Sequence, residues 1–278
     1  MTDKLYLPRT TRVAEIVDET PTTKTFKLAF EDGARPDFKC GQFGEFGIYG
    51  VGEATFCLAS PPNRDGVEIT VKNVGKVTRA FHNLNPGDAV TFRGPFGNWF
   101  PYDDFKGKKL LFIGGGIGMA PLRGLLWTCL ERRDDFEAVE LLYAAREECE
   151  LVYLYELEQF EKRADMRVTL ALDPVCQGEE IPGWRGRTAF PPAILEEENP
   201  SPENRVVITC GPPIMIKLVA KSLMEKLGYS PGQIWTTLEM RMKCGLGKCG
   251  RCNIGSVYVC KDGPCFSYEQ VLAFPLEF

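Results

Sequence analysis

Lys108-Lys109-Leu110-Leu111-Phe112-Ile113-Gly114-Gly115-Gly116-Ile117-Gly118-Met119-Ala120-Pro121 is the stretch on which the fold turns. Two lysines lead into a continuous apolar run, Lys108–Ile113, which predicts a buried strand; Gly114–Gly118 predicts a tight turn and Ala120–Arg132 a helix. A strand, a glycine-rich turn and a helix in succession leave free N–H groups and the positive end of a helix dipole where a phosphate can sit, and Pro121 suits the first helical turn. The turn does not follow the G-x-G-x-x-G spacing cleanly, so alone it is compatible with a turn that binds nothing. Cys210-Gly211-Pro212-Pro213-Ile214-Met215 repeats the arrangement after the apolar strand Arg205–Cys210 and before a helix over Pro213–Leu227. Two such turns at the C-terminal ends of parallel strands face the same crevice.

Outward from this stretch, strand and helix alternate: a strand at Val139–Ala144, a helix at Leu151–Lys162 and a strand at Arg167–Leu172. That order predicts a parallel sheet with crossover helices. Asp173–Asn204, rich in Pro, Gly and Glu, reads as a surface excursion. Upstream, Val13–Val17, Thr25–Phe30, Val67–Lys72 and Ala89–Arg93 alternate apolar and polar residues. Asp32-Gly33, Pro61-Pro62-Asn63 and Asn85-Pro86-Gly87-Asp88 punctuate them, with a short helix near Thr78–Leu84. This is the pattern of an antiparallel barrel or sandwich.

Downstream, Cys244, Cys249 and Cys252 stand in Cys-x4-Cys-x2-Cys spacing, and Cys260 follows after seven residues, returning from a hairpin at Val257-Tyr258-Val259. Four thiolates in this order suit a [2Fe–2S] cluster in plant-type ferredoxin spacing. Gly245, Gly247 and Gly250 let the loop turn tightly and aim N–H groups at sulfur. Zinc also takes four thiolates, but from paired knuckles; here there is one x2 pair with an x4 lead. Cys265 competes with Cys260 as fourth ligand, and Cys260 is preferred. The scattered Cys40, Cys57, Cys129, Cys149, Cys176 and Cys210 read as small buried apolar residues.

Composition narrows the function. The 278 residues suggest about two domains, and 44% apolar with 26% charged residues is ordinary for a globular protein. A net charge of −5 argues against nucleic acid, and no apolar run reaches membrane-span length. The opening Met1-Thr2-Asp3-Lys4 carries no signal-peptide pattern, so a cytoplasmic protein is expected, where eleven cysteines favour metal or redox chemistry over disulfides. The single histidine, His82, excludes a Rieske cluster or any two-histidine metal centre and reads as a surface residue beside a turn.

Taken together, these residues resemble the ferredoxin–NADP⁺ reductase superfamily. The closer resemblance is to the subgroup with an appended C-terminal [2Fe–2S] domain: electron-transfer subunits of dihydroorotate dehydrogenase, gamma subunits of cytoplasmic hydrogenases and sulfur reductases, and the small subunit of the bifurcating transhydrogenase. The resemblance covers nearly the whole chain. It implies a multidomain β plus α/β protein: an N-terminal antiparallel flavin-binding β-barrel (1–104), a parallel α/β NAD(P)-binding domain (105–232) and a small [2Fe–2S] domain (233–278).

In that family an Arg-x-Tyr-Ser motif holds the flavin. Here Ala54-Thr55-Phe56-Cys57 takes its place, followed by Leu58-Ala59-Ser60. The resemblance puts Phe56 against the isoalloxazine and Cys57 where a hydroxyl faces N5. Ala54 replaces the diphosphate-binding arginine, which leaves FAD or FMN open, with FAD preferred; Lys72, Lys76 or Arg79 could supply the charge. Val71 and Lys72, then Gly75-Lys76-Val77-Thr78, match the flavin-phosphate turn, and Arg93-Gly94-Pro95-Phe96-Gly97 the strand that closes the barrel. Gly114, Gly115, Gly116, Ile117, Gly118, Ala120 and Pro121 would receive the nicotinamide nucleotide's pyrophosphate. Tyr143 and Arg146 would lie near the adenosine ribose, and Cys210, Gly211 and Pro212 near the nicotinamide. Glu147, Glu148 and Glu150 would repel a 2′-phosphate, which favours NAD over NADP.

The implied activity moves a hydride between NAD(H) and the flavin and single electrons through the cluster to a catalytic redox subunit, in either direction. No acid–base residue is required. Two alternatives are a stand-alone NAD(P)H-dependent reductase of a small acceptor, and a degenerate zinc-holding regulatory module, which the loss of arginine at Ala54 would favour.

Overall fold

Six strands build the N-terminal sheet: β1 (Arg9–Thr20), β2 (Thr23–Phe30), β3 (Phe43–Ile48), β4 (Gly52–Cys57), β5 (Val67–Lys72) and, after helix α1 (Lys76–His82), β6 (Ala89–Phe96). The computed structural model describes residues 6–176 and 183–275; Met1–Lys4, read above for a leader, lie outside them. Strand order is β4-β3-β6-β1-β2-β5, every pairing antiparallel. The sheet curls until its edges meet. The Ala59 N–H donates to Glu68 O at 2.8 Å and the Ser60 hydroxyl accepts from the Glu68 N–H at 3.1 Å, closing a barrel on Phe26, Phe46, Phe81 and Phe92.

β3 and β4 escape the alternation rule. Phe43-Gly44-Glu45-Phe46-Gly47 is buried on both faces, so no period of two is visible. Helix α1 starts two residues earlier than expected, because the Thr78 hydroxyl accepts from the N–H groups of Val74 (3.0 Å) and Gly75 (2.8 Å). His82 is half-buried rather than a surface residue: its Nε2 lies 2.8 Å from Val71 O, tying α1 to β5.

The second sheet comprises β7 (Lys109–Gly115), β8 (Ala138–Ala145), β9 (Arg167–Leu172), β10 (Arg187–Thr188), β11 (Arg205–Cys210) and β12 (Ile234–Thr237). Its helices are α2 (Met119–Glu131), α3 (Leu154–Glu161), α4 (Pro191–Glu198) and α5 (Pro213–Glu225). Strand order is β10-β9-β8-β7-β11-β12, all parallel, with β7 central. The uninterrupted apolar run of β7 has its explanation here. Leu110 and Phe112 pack beneath α2 and α3, Leu111 and Ile113 beneath α4 and α5, and each is at most 3% exposed. Burying each of these four side chains contributes roughly 1.5–3 kcal/mol.

Two expectations are corrected. Asp173–Asn204 is not loop throughout: Pro191 at the first helical position starts α4, whose Ile194 and Leu195 pack into the core. Helix α3 begins at Leu154 and not Leu151, because Tyr153 sits in the left-handed region (φ 61°) with its hydroxyl bonded to the Thr70 hydroxyl of the barrel.

The C-terminal segment holds the hairpin β13 (Asn253–Ile254) and β14 (Val257–Tyr258), then α6 (Val259–Asp262), β15 (Cys265–Ser267) and α7 (Tyr268–Leu272). β15 pairs antiparallel with β12, so the chain following the expected boundary at 232 extends the edge of the nucleotide sheet. No helix among the described residues is long and apolar enough to cross a membrane.

Arg123 of α2 clamps the barrel to the second sheet. Its guanidinium makes two bonds to Glu156 (2.9 and 2.6 Å), one to Glu68 and one to Ala59 O (3.2 Å), and it covers the Tyr153 ring at 4.7 Å. Burial alone would weaken its charge; the Glu156 and Glu68 carboxylates hold it firmly protonated.

Candidate functional site

The chain visits β7, β8 and β9 on one side and β11 and β12 on the other, so the order reverses between β7 and β11. A doubly wound sheet opens its ligand crevice at such a reversal. A cavity of about 630 Å³ lies there, a size that suits a nucleotide. Gly115, Gly116, Ile117 and Gly118 form one wall and Gly211, Pro212 and Met215 another.

The two turns touch. A Cβ on Gly118 would fall 2.5 Å from Cys210 O, and one on Gly211 would fall 3.1 Å from Gly115 Cα, so hydrogen is the only side chain either position admits without backbone movement. Gly116, at φ +54°, has open space around its α-carbon and presents bare backbone to the cavity. Ala120 and Pro121 continue into α2. Tyr143 is not on the cavity wall. It is fully buried under the turn, where its hydroxyl donates to Gly116 O and accepts from Val152 N–H, both at 3.0 Å. Arg146 and Glu150 line the far end of the cavity, and Lys72 of the barrel reaches it with Nζ 3.8 Å from Glu150 Oε1.

At the near end, β4 divides its side chains between two faces. Phe56 turns into the barrel against Phe81 (5.4 Å between centroids) and Phe46 (6.2 Å). Thr55 donates to Glu45 Oε1 at 2.9 Å. Burial, with the Glu239 carboxylate and the Cys210 thiol beside it, pushes the Cys57 thiol up to about 12. Burial likewise pushes Cys210 up to about 12, although Thr237 Oγ1 donates to its sulfur at 3.2 Å. Glu239, raised by burial, lines the cavity directly after β12. Sequence reasoning missed it; an acid at the C-terminal end of an apolar parallel strand, five residues before the first clustered cysteine, was the available signal. Ser60 is buried at the barrel seam, Val71 is fully buried, and Ala54, Gly75, Val77 and Thr78 lie on β4 and the first turn of α1. The wall Ala189–Pro192 comes from the segment expected to be an excursion.

The cysteine loop packs against the barrel. A Cβ on Gly245, at φ +73°, would strike the Phe96 ring at 2.6 Å, and the Arg93 guanidinium lies 3.4 Å from Cys244 O while binding Glu53 through two bonds of 2.9 and 2.8 Å. Beside it Glu45 is 2% exposed, and burial raises its carboxyl to about 7. Within the loop the N–H groups of Leu246 and Lys248 donate to Cys244 Sγ (3.4 and 3.3 Å), and that of Gly247 to Cys260 Sγ (3.1 Å). Burial works to raise the Cys244 thiol, but these donors and the Cys249 N–H outweigh it and bring it down to about 6; burial and a hydrogen bond with Cys252 push Cys260 up to about 12.

Cys249 thus lies beside Cys244 and Cys252 beside Cys260, and the Cys260 thiol also senses that of Cys244. Among the described residues no three ligating side chains gather as a single ion requires. Three thiols in Cys-x4-Cys-x2-Cys spacing with a fourth after seven residues fit the two irons of a [2Fe–2S] cluster, two to each. Cys265 lies elsewhere, 1% exposed with its sulfur 3.7 Å from Gly41 O. Of the scattered cysteines, Cys149 and Cys176 are exposed, against expectation.

Two family models match the chain. Residues 112–221 match the oxidoreductase NAD-binding domain and residues 239–272 the iron–sulfur cluster binding domain of dihydroorotate dehydrogenase B. The chain is 38% identical to sulfhydrogenase 1 subunit gamma of Pyrococcus furiosus, over 98% of this chain and 95% of that one. It is 34% identical to a probable dihydroorotate dehydrogenase B (NAD(+)) electron transfer subunit of Methanocaldococcus jannaschii, over 96% and 92%. The solved structure of an NADH-dependent reduced ferredoxin–NADP oxidoreductase has the same fold, with a TM-score of 0.73 and 21% identity over 93% of this chain and 88% of that one. With its nucleotide crevice and its clustered cysteines, the chain belongs to the family of oxidoreductase electron-transfer subunits that includes sulfhydrogenase gamma subunits and the electron transfer subunits of dihydroorotate dehydrogenase B.

Proposed function

We propose that the chain takes electrons from NADH at the crevice, through FAD held by the barrel, and delivers them singly through a [2Fe–2S] cluster to a separate catalytic redox subunit in the cytoplasm. The observation that carries this reading is adjacency. Cys57 of β4 lies beside Cys210 and Glu239, Glu239 lines the crevice with the two glycine turns, and the cysteine loop rests on Phe96 and Arg93 of the same barrel. When bound, the flavin exchanges a hydride with nicotinamide and single electrons with the cluster, which carries one at a time.

The chain's own residues bind and orient. Gly115–Gly118 and Gly211–Pro212 supply backbone to the dinucleotide, whose pyrophosphate is drawn to the start of α2. Glu150 marks the ribose end, where a second phosphate would meet a carboxylate; this supports NAD over NADP. Cys57 and Cys210, buried thiols held neutral, lie beside each other behind the crevice wall and contribute no charge. Ala54 pairs with Phe46 on the edge strand β4, and Lys72, Lys76 and Arg79 are the cations at hand for a flavin phosphate. Cys244, Cys249, Cys252 and Cys260 hold the cluster. We further read residues 1–104 as the flavin barrel, 105–232 as the NAD domain and 233–278 as the cluster segment, whose β12 and β15 complete the edge of the nucleotide sheet.

Flavin, iron and sulfide analysis of anaerobically purified protein, with absorption spectra before and after NADH, tests the proposal. One flavin and two irons per chain, both chromophores bleached by NADH, are expected. Zinc without iron, or a colourless protein after cluster reconstitution, would overturn it.

A further inference from the structure

Each proposed ligand cysteine has a cation as its immediate neighbour: Lys243 before Cys244, Lys248 before Cys249, Arg251 before Cys252 and Lys261 after Cys260. All four are exposed, as is Arg241, and Cys249 itself reaches solvent. Between residues 241 and 262 the only carboxylate is Asp262, whose Oδ2 accepts from the Tyr258 N–H, in a chain whose net charge is −5. The fold holds two of these charges against the loop. The Lys261 stem lies over Gly247, where a Cβ would come within 3.1 Å of its Cδ, and Lys248 stands over the Tyr6 ring at 5.1 Å. Phe96 and Arg93 of the barrel close one side of the loop, from which the Lys243 charge also reaches Glu45, while Lys248, Arg251 and Lys261 stay open to solvent.

We propose that this basic rim is the docking surface through which electrons leave or enter the cluster, and that its partner is a one-electron redox protein presenting an acidic face around its own nearest centre. The inference rests on the electron-transfer reading above. Exposed cations contribute little to folding, because water and salt screen them, but a patch of one sign steers an oppositely charged partner and orients it as it arrives. Setting one cation beside every ligand places that attraction around the point where the cluster is exposed.

The test uses the holoprotein with two one-electron haem proteins of opposite charge, acidic cytochrome b5 and basic cytochrome c, and with menadione, an uncharged acceptor. For either haem protein, NADH and two oxidised molecules give NAD⁺, one proton and two reduced molecules. The initial cytochrome b5 reduction rate is expected to fall roughly tenfold or more between about 20 mM and about 500 mM salt, while the menadione rate is unchanged. The cytochrome c rate is expected to stay flat or rise. Replacing Lys243, Lys248, Arg251 and Lys261 together by Gln should remove both the cytochrome b5 preference and its salt dependence, with iron content retained. A wild-type cytochrome b5 rate indifferent to salt would overturn the proposal even if that variant failed to hold its cluster. So would a variant that shifts the cluster's midpoint potential but keeps the salt dependence, since the cations would then tune the cluster without recruiting a partner. Loss of menadione reduction in the wild type would instead sink the electron-transfer reading itself.

Discussion

The nucleotide crevice and the cysteine loop are neighbours built by opposite means. The crevice is made of backbone: Gly115, Gly118 and Gly211 bring two turns into contact, and the surrounding strands are fully paired and buried. The loop is made of side chains. Between β12 and β13 it has no strand or helix of its own, and its N–H groups go to sulfur as much as to carbonyl oxygen. The crevice is therefore complete before any ligand arrives, whereas the loop's order depends on what its thiols hold. A change in either region should leave a different signature.

The largest effect is expected at the thiols. Cys252→Ser should abolish cluster incorporation, read as iron per chain and as lost visible absorbance, and should make 241–261 the first site of proteolysis, while the nucleotide cavity persists. Cys265→Ser should keep the full iron complement; if instead it loses iron as Cys252→Ser does, the proposed ligand set is wrong. Next comes the clamp between the barrel and the sheet. Arg123→Met strands Glu156 and Glu68, both largely buried, and should cost about 3–5 kcal/mol in urea unfolding.

Gly118→Val should come third. It forces methyl groups into the Cys210 carbonyl and should cost about 1–3 kcal/mol and raise the KM for NADH roughly tenfold or more, with iron content untouched. Equal damage to the cluster would erase the distinction between the regions. The smallest effect is one of pH, beside the loop. Glu45 keeps its proton to about 7 when folded, against an ordinary 4.5, so its contribution is fully present below 4.5 and is lost as pH rises to about 7. Glu45→Gln should flatten the fall in urea midpoint across that window. An unchanged slope would mean that Glu45 is solvated.

Much of this was legible because local pattern and final burial agree. The apolar run of β7, the alternation of β2 and β5 and the cysteine spacing each state their surroundings directly. β3 was not, because Gly44 and Gly47 interrupt a strand buried on both faces. Helix α4 was hidden by Pro191-Pro192, which reads as a break until the prolines are placed in the first helical turn. Glu45 and the Arg93 contact with the loop were invisible for a different reason. Each depends on groups tens to more than a hundred residues apart meeting in space, and no local pattern carries that information. Tyr143 lies next to the cavity-lining Ala144–Arg146, but the sequence could not tell a wall residue from one that props the turn beneath it.

The central claim is that crevice and loop form one electron path, and an anaerobic titration with NADH followed by electron paramagnetic resonance tests it most directly. The account predicts a signal from a one-electron-reduced [2Fe–2S] cluster that grows with NADH, reaches about one spin per two irons, and is absent from Cys252→Ser. A chain that binds NADH and loses its flavin absorbance, yet develops no cluster signal at any NADH concentration, would contradict it.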